Sequence, residues 1–261
     1  MGLLEALAAV LTRESELATL REHPARLRRR YGLSDAELAM LTGASPAGLR
    51  VTGESVRGKL VQKVTTCLPA TVAELKAHHP ELLNGFAAAT VRRPRPGEGV
   101  TDSGEAGQLV TWIDGRVPAP LVDFARYELL CGQLAGDRRA AQAAGEPILA
   151  PDGPLRGTPS VSPAVRVAFF DHDVTAEPPP SRLPARRTSI LLRRQWGEPA
   201  LRVYRINDAT AALLGRCDGT RSVAEVIAEM IAEVGADAEQ VTGMLTRFAA
   251  AGVVRLAPGR Y

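Results

Sequence analysis

The chain has 261 residues, a formal net charge of +3 and a pI near 9.0. Hydrophobic residues make up 45%, charged residues 23% and aromatic residues 4%, so a packed core rich in small side chains is feasible by composition. The charge is too slight for a dedicated nucleic-acid binder. It sits in short clusters, Arg26 to Arg30, Arg92-Arg93-Pro-Arg95, Arg186-Arg187 and Arg193-Arg194, which read as solvated faces or as local patches for an acidic partner.

The first 32 residues are helical in pattern, with a break near His23-Pro24. Leu17, Leu20 and Leu27 recur at helical spacing, and Arg28 to Arg30 fall in a last turn, where cations suit the helix dipole. Apolar Met1 to Leu11 carries Glu5, lacks a basic start and is too short to span a bilayer, so it predicts an amphipathic helix and not an export signal. Gly32 stops this region. Ser34-Asp-Ala-Glu37 is a capping box that opens a helix through Leu41. Ser45 and Pro46 then start a longer helix to Cys67, with Leu49, Val56, Leu60 and Val64 on one face. Gly53 and Gly58 each cost such a helix about 1 kcal/mol.

Pro69 ends that helix. Thr71 caps a short one to Ala77, and Pro80 opens another to Thr90. The stretch 92–104, rich in Pro, Gly and charge, predicts a loop. Helices over Glu105 to Ile113 and Pro120 to Ala144 complete a helical half. Gly145 to Pro163 is dense in proline and marks a domain boundary, dividing the chain into a helical domain, 1–150, and a second domain, 160–261.

In the second domain, Val165-Arg-Val-Ala-Phe-Phe170 and Thr188 to Gln195 predict strands, joined by an extended connector over Thr175 to Pro184. A Gly197-Glu-Pro199 turn leads to a third strand, Leu201 to Ile206. Asn207 caps a helix to Arg216. Ser222 and Glu225 form a capping box for the next helix, with Val223, Val226, Ile227 and Ile231 inward. Ala236 to Ala251 is the last helix, with Val241, Leu245 and Phe248 inward, and Val253 to Leu256 can add a short strand. The fold class is α+β: a helical domain, then a winged helix–turn–helix-like domain of three strands and three helices.

No catalytic constellation is visible. His78-His79 are adjacent and point to different helix faces. Asp171-His-Asp173 is the best local metal candidate, and a polar strand end explains it more simply. No nucleophile elbow or phosphate loop occurs. Cys67, Cys131 and Cys217 are scattered and odd in number, which predicts reduced thiols in a cytoplasmic protein. A three-stranded sheet backed by helices leaves an edge that can take an extended peptide by strand addition. The candidate edge is Leu201, Arg202, Val203, Tyr204, Arg205 and Ile206. The candidate groove wall is Val241, Met244, Leu245 and Phe248, with Arg202, Arg205 and Arg247 placed to attract acidic peptide residues. The competing use of the same fold is a winged-helix DNA-binding regulator. Glu225, Glu229 and Glu233 on the middle helix argue against it, because they repel phosphates.

The run Tyr204-Arg-Ile-Asn207, Ala211-Ala-Leu-Leu214, Cys217-Asp-Gly219 and Thr220-Arg-Ser-Val223 resembles the PqqD-like RiPP recognition element, which binds the leader of a ribosomally made precursor peptide. The resemblance implies that a leader lies along Leu201 to Ile206 and against Val241, Met244, Leu245 and Phe248. The Tyr31-Gly-Leu-Ser-Asp35 start, the Leu68-Pro-Ala-Thr71 break and the Val165 to Asp173 strand are similar to the partner proteins of multinuclear non-haem iron-dependent oxidative enzymes, such as those of methanobactin and 3-thiaglutamate biosynthesis. That resemblance implies a non-catalytic subunit with no metal or cofactor of its own. Its partners would be an iron enzyme, in a heterodimer, and a precursor peptide, without nucleic acid or membrane.

Overall fold

The computed structural model describes residues 2–90, 102–148, 153, 155–177, 179–198 and 200–257. The loop expected over 92–104 falls almost wholly outside them, as do Pro151, Pro154, Pro178 and Pro199. The chain forms two compact units. One is Met1–Leu129 with Pro179–Arg182. The other is Leu130–Pro178 with Leu183–Tyr261. The second unit therefore begins ahead of the proline-dense stretch.

In the first unit, α1 (Leu3–Thr12), α2 (Glu14–Glu22) and α3 (Pro24–Tyr31) follow one another with breaks at Arg13 and His23. The break at Arg13 had no sequence signal, since neither Pro nor Gly marks it. Gly32 ends α3 in the left-handed conformation that a residue without Cβ adopts freely. Ser34 and Glu37 cap α4 (Asp35–Gly43) reciprocally, and Ser45 accepts from the Gly48 amide to start α5 (Pro46–Cys67). These helices close over a core that includes Ala6, Val10, Leu20, Leu27 and Leu49.

A second core in this unit joins α5 to α6 (Pro69–His78), α7 (Pro80–Thr90), α8 (Asp102–Ile113) and the first part of α9 (Ala119–Gly136). Val64, Leu68, Leu75, Phe86, Leu109 and Leu121 lie at its centre. Thr71 is not the cap of α6, which begins earlier, at Pro69. The orphan amides of Ala70 and Thr71 instead donate to the carboxylate of Glu128 on α9, both at 2.9 Å. A single helix over Pro120 to Ala144 is also corrected. Asp137 takes an extended conformation, accepts from the amides of Arg139 and Ala140, and starts a separate α10 (Arg138–Gly145).

In the second unit, β1 (Thr158–Val161) pairs antiparallel with β5 (Val254–Ala257). β2 (Val165–Phe170), β3 (Thr188–Arg193) and β4 (Arg202–Ile206) form a separate antiparallel sheet in the order β2-β3-β4. Then come α11 (Asp208–Arg216), α12 (Val223–Val234) and α13 (Ala238–Ala250). The α+β class and the three-strand, three-helix order stand as expected. β1 does not follow from local sequence, because Pro159 sits inside it; proline is tolerated where no ladder donor is needed. Val165, Leu191, Leu213, Leu214, Val226, Met230, Val241 and Leu245 share one core. Met230, not Ile231, is the inward residue of the last turns of α12: Met230 is 2% exposed and Ile231 43%.

Candidate functional site

Among the described residues β4 hydrogen-bonds to β3 alone, so every second residue along it turns its N–H and C=O away from the sheet. Its start follows a turn in which Gly197 holds φ +75°, and its end is fixed by Asn207, whose side chain accepts from the Thr210 amide at 2.8 Å. Leu201 lies just before the strand.

Register sorts the side chains by face. Tyr204 is opposite Leu191 and Ile206 opposite Ser189, so both share the helix-facing side with the core residue Leu191. Val203 is opposite Leu192, and Arg205 opposite Ile190, on the other side. Tyr204 is 46% exposed and Val203 37%. Ile206, Met244 and Phe248 are half-buried against the core that the sheet shares with α13. Val241 and Leu245 are sealed within that core. Of the four α13 residues expected as groove wall, Met244 and Phe248 therefore keep surface for a ligand.

β2 is the other edge of the sheet, and it is guarded. Arg166 turns back to donate to the carbonyl oxygens of Pro163 at 3.1 Å and Val165 at 3.0 Å, and pairs with Asp137 at 3.1 Å. A charged side chain folded over the start of an edge discourages strand addition. β4 carries no such guard from its own arginines. Arg202 is bound by Glu198, at 3.1 and 3.2 Å, and by Gln195 at 3.0 Å, which raises its pKa chiefly through the Glu198 hydrogen bond.

The three arginines expected to attract acidic peptide residues all have partners within the chain. Arg202 has Glu198. Arg247 donates to the Gly243 carbonyl of its own helix at 3.3 Å. Arg205 is gripped by both carboxylate oxygens of Asp173 and donates through Nε to the Thr175 hydroxyl at 2.7 Å. Asp173 also accepts from the Thr175 hydroxyl at 2.8 Å, the Thr175 amide at 3.3 Å and Arg186. Burial pushes the Asp173 carboxyl up, but the Thr175 donors, Arg186 and Arg205 outweigh it and hold the group below the usual carboxylate range. Asp173 was singled out in sequence only as a weak metal candidate. Its link to Arg205 spans 32 positions, which no local spacing reveals.

Cys217 is buried and donates to the Leu213 carbonyl at 3.3 Å, and burial with the neighbouring Asp218 charge pushes its thiol up to about 11. Asp218 accepts from the Thr220 amide at 2.9 Å and hydroxyl at 2.6 Å, which with Arg221 lowers its pKa to about 2. This turn is stitched to β1. Val161 donates to the Cys217 carbonyl at 2.8 Å, Gly219 to Pro159 at 2.9 Å and Val223 to Gly157 at 3.0 Å. Glu229 and Glu233 on α12 are paired with Arg216, and Glu229 also with Arg221.

Among the described residues, no three His, Cys, Asp or Glu side chains cluster as a metal site, and no helix is long and apolar enough to cross a membrane. What the arrangement offers chemically is backbone donors and acceptors on an exposed strand, flanked by half-buried apolar side chains. No curated protein matches the chain. Residues 197–254 match the family model of coenzyme PQQ synthesis protein D (PqqD), from the turn before β4 to the first residue of β5. That stretch is a PqqD-like region.

Proposed function

We propose that this protein is a non-catalytic accessory subunit that binds the leader of a ribosomally synthesised precursor peptide and presents it to an iron-dependent oxidative enzyme. The leader adds as a strand to β4, with its inward side chains against Tyr204, Ile206, Met244 and Phe248. Main-chain hydrogen bonds supply affinity, and the apolar flank supplies choice. The iron belongs to the partner enzyme, which docks on the helical unit in a heterodimer. The observation that carries this reading is that, among the described residues, the PqqD-like region contains an edge strand of the sheet, β4.

The reading is tested by titrating the full chain with synthetic peptides encoded by whatever short reading frames flank its gene. Val203→Pro removes a backbone donor from the strand. It should weaken binding by about tenfold or more while the circular dichroism spectrum stays that of the parent protein. Unchanged affinity in a folded Val203→Pro variant rules out addition at β4. Duplex DNA binding in moderate salt would replace this reading with that of a transcription regulator. The glutamates of α12, which neutralise Arg216 and Arg221, speak against that result.

A further inference from the structure

On the face of the sheet away from the helices, β4 presents Arg205, and the connector between β2 and β3 meets it with Asp173. The Asp173 side chain is only 4% exposed, whereas Arg205 and Arg186 are 48% and 61% exposed. Among the described residues four groups donate to it, and three of them come from the connector: the Thr175 hydroxyl, the Thr175 amide and Arg186. The backbone is tied as well, since the Asp173 amide donates to the Pro184 carbonyl at 3.0 Å. The sheet supplies the fourth, Arg205. It is held at two points, through Nη2 by the carboxylate and through Nε by the Thr175 hydroxyl, so the planar guanidinium is fixed in orientation as well as position.

A carboxylate taken out of water is costly unless its lone pairs are filled, and here they are filled. The strand so restrained has no second neighbour among the described residues. A central strand is held flat by ladders on both sides. β4 has one ladder, and an edge that frays must be ordered again when a ligand adds to it, at a cost in affinity. The Asp173 contacts supply a second restraint from below the sheet while leaving the outer backbone groups of the strand open.

We propose that Asp173 is a positioning residue for peptide capture: with Thr175 it fixes Arg205, holds β4 in its ladder before the peptide arrives, and withholds the Arg205 charge from the peptide. This inference rests on the reading of β4 as the peptide-binding edge. It assigns Arg205 the role of a strut and not of an anion receptor, so acidic residues of the leader gain nothing from it.

The experiment uses the full chain in two arms. Amide hydrogen exchange without peptide is compared for the parent protein, Asp173→Asn, Arg205→Gln and the double variant. The leader is then titrated into each, with Val203→Pro as the control for the edge itself. Exchange at the β4 amides that bond to β3 should rise by about ten- to a hundredfold in each single variant, with α12 and α13 unmoved. Leader affinity should fall by about tenfold in each, and the double variant should lose no more than either alone, because the two residues act as one unit. Retention of parental exchange in β4 overturns the proposal, and that arm holds even where the leader does not bind at all. Parental affinity in Asp173→Asn, with binding still lost in Val203→Pro, overturns the strut and leaves the edge reading intact. A loss in Arg205→Gln alone, abolished when the acidic residues of the leader are neutralised, makes Arg205 a direct contact and also overturns it. Should Asp173→Asn fail to fold, Arg205→Gln, which alters a half-exposed side chain, carries both arms.

Discussion

Cys217 and Asp218 are chain neighbours with opposite titration behaviour, and the difference is burial. Asp218 is open to solvent and ringed by donors, so its charge is favoured. Cys217 is closed off, so its charge is opposed. The raised thiol has a definite consequence for stability. Below pH 9.0, the ordinary value of a cysteine, the thiol is largely neutral in both folded and unfolded chains. Between 9.0 and about 11 the unfolded chain ionises and the folded one does not. The native state then binds more protons than the unfolded state, and stability falls as pH rises through that window. The difference in denaturation midpoint between the parent protein and Cys217→Ala should therefore shrink from pH 8 to pH 11. The same burial predicts that iodoacetamide at pH 8 labels Cys217 only after unfolding, as peptide mapping can show. Equal labelling in the native protein contradicts its placement.

At the scale of elements, one glycine explains how two helices meet. Gly53 on α5 looks like a helix-weakening residue in sequence. In the fold it is where α1 crosses: a Cβ at this position would lie 2.0 Å from the Leu11 carbonyl oxygen. Helix propensity alone makes Gly53→Ala stabilising. The close approach makes it destabilising, by about 1–3 kcal/mol, as urea denaturation can measure. Gly58, with open space around it, serves as the control, where the same substitution should be neutral or stabilising. The caps and turns were legible in the sequence because they are local. Ser34 with Glu37, Ser222 with Glu225, Asn207 and Gly235 each act within a few residues. What was not legible depends on contacts distant in sequence. Glu128 caps a helix that begins almost sixty residues earlier. The split at Asp137 has no local signal, because the apolar spacing runs on across it. Ile231 reads as inward in sequence because it adjoins Met230 on a helix whose apolar stripe is wide enough to suit either.

At the scale of the molecule, the PqqD-like region is not a complete folding unit by itself. It contains β4 but neither β2 nor β3, and it lacks β1, whose backbone is joined to both β5 and the Cys217 turn. A fragment restricted to 197–254 therefore leaves β4 without a partner and the Cys217 turn without its stitches. It should lack the sharp thermal transition seen in the full chain. A cooperative transition in that fragment, followed by circular dichroism, contradicts the assignment of β1 to β3 as integral parts. The candidate strand itself was legible, since Val, Tyr and Ile after a glycine turn announce it. Its reading as a candidate edge also came from the sequence; the Arg166 contacts on β2 and the Asp173 hold on Arg205 did not, because no local pattern records either.

The central claim is that β4 receives a peptide as an added strand, and amide hydrogen exchange of the full chain with and without saturating leader tests it most directly. Addition at β4 predicts slowed exchange at alternate residues of Arg202 to Ile206, where the outward amides gain a partner, with β2 unaffected. A leader that binds while leaving those amides unchanged, or that protects β2 instead, contradicts it.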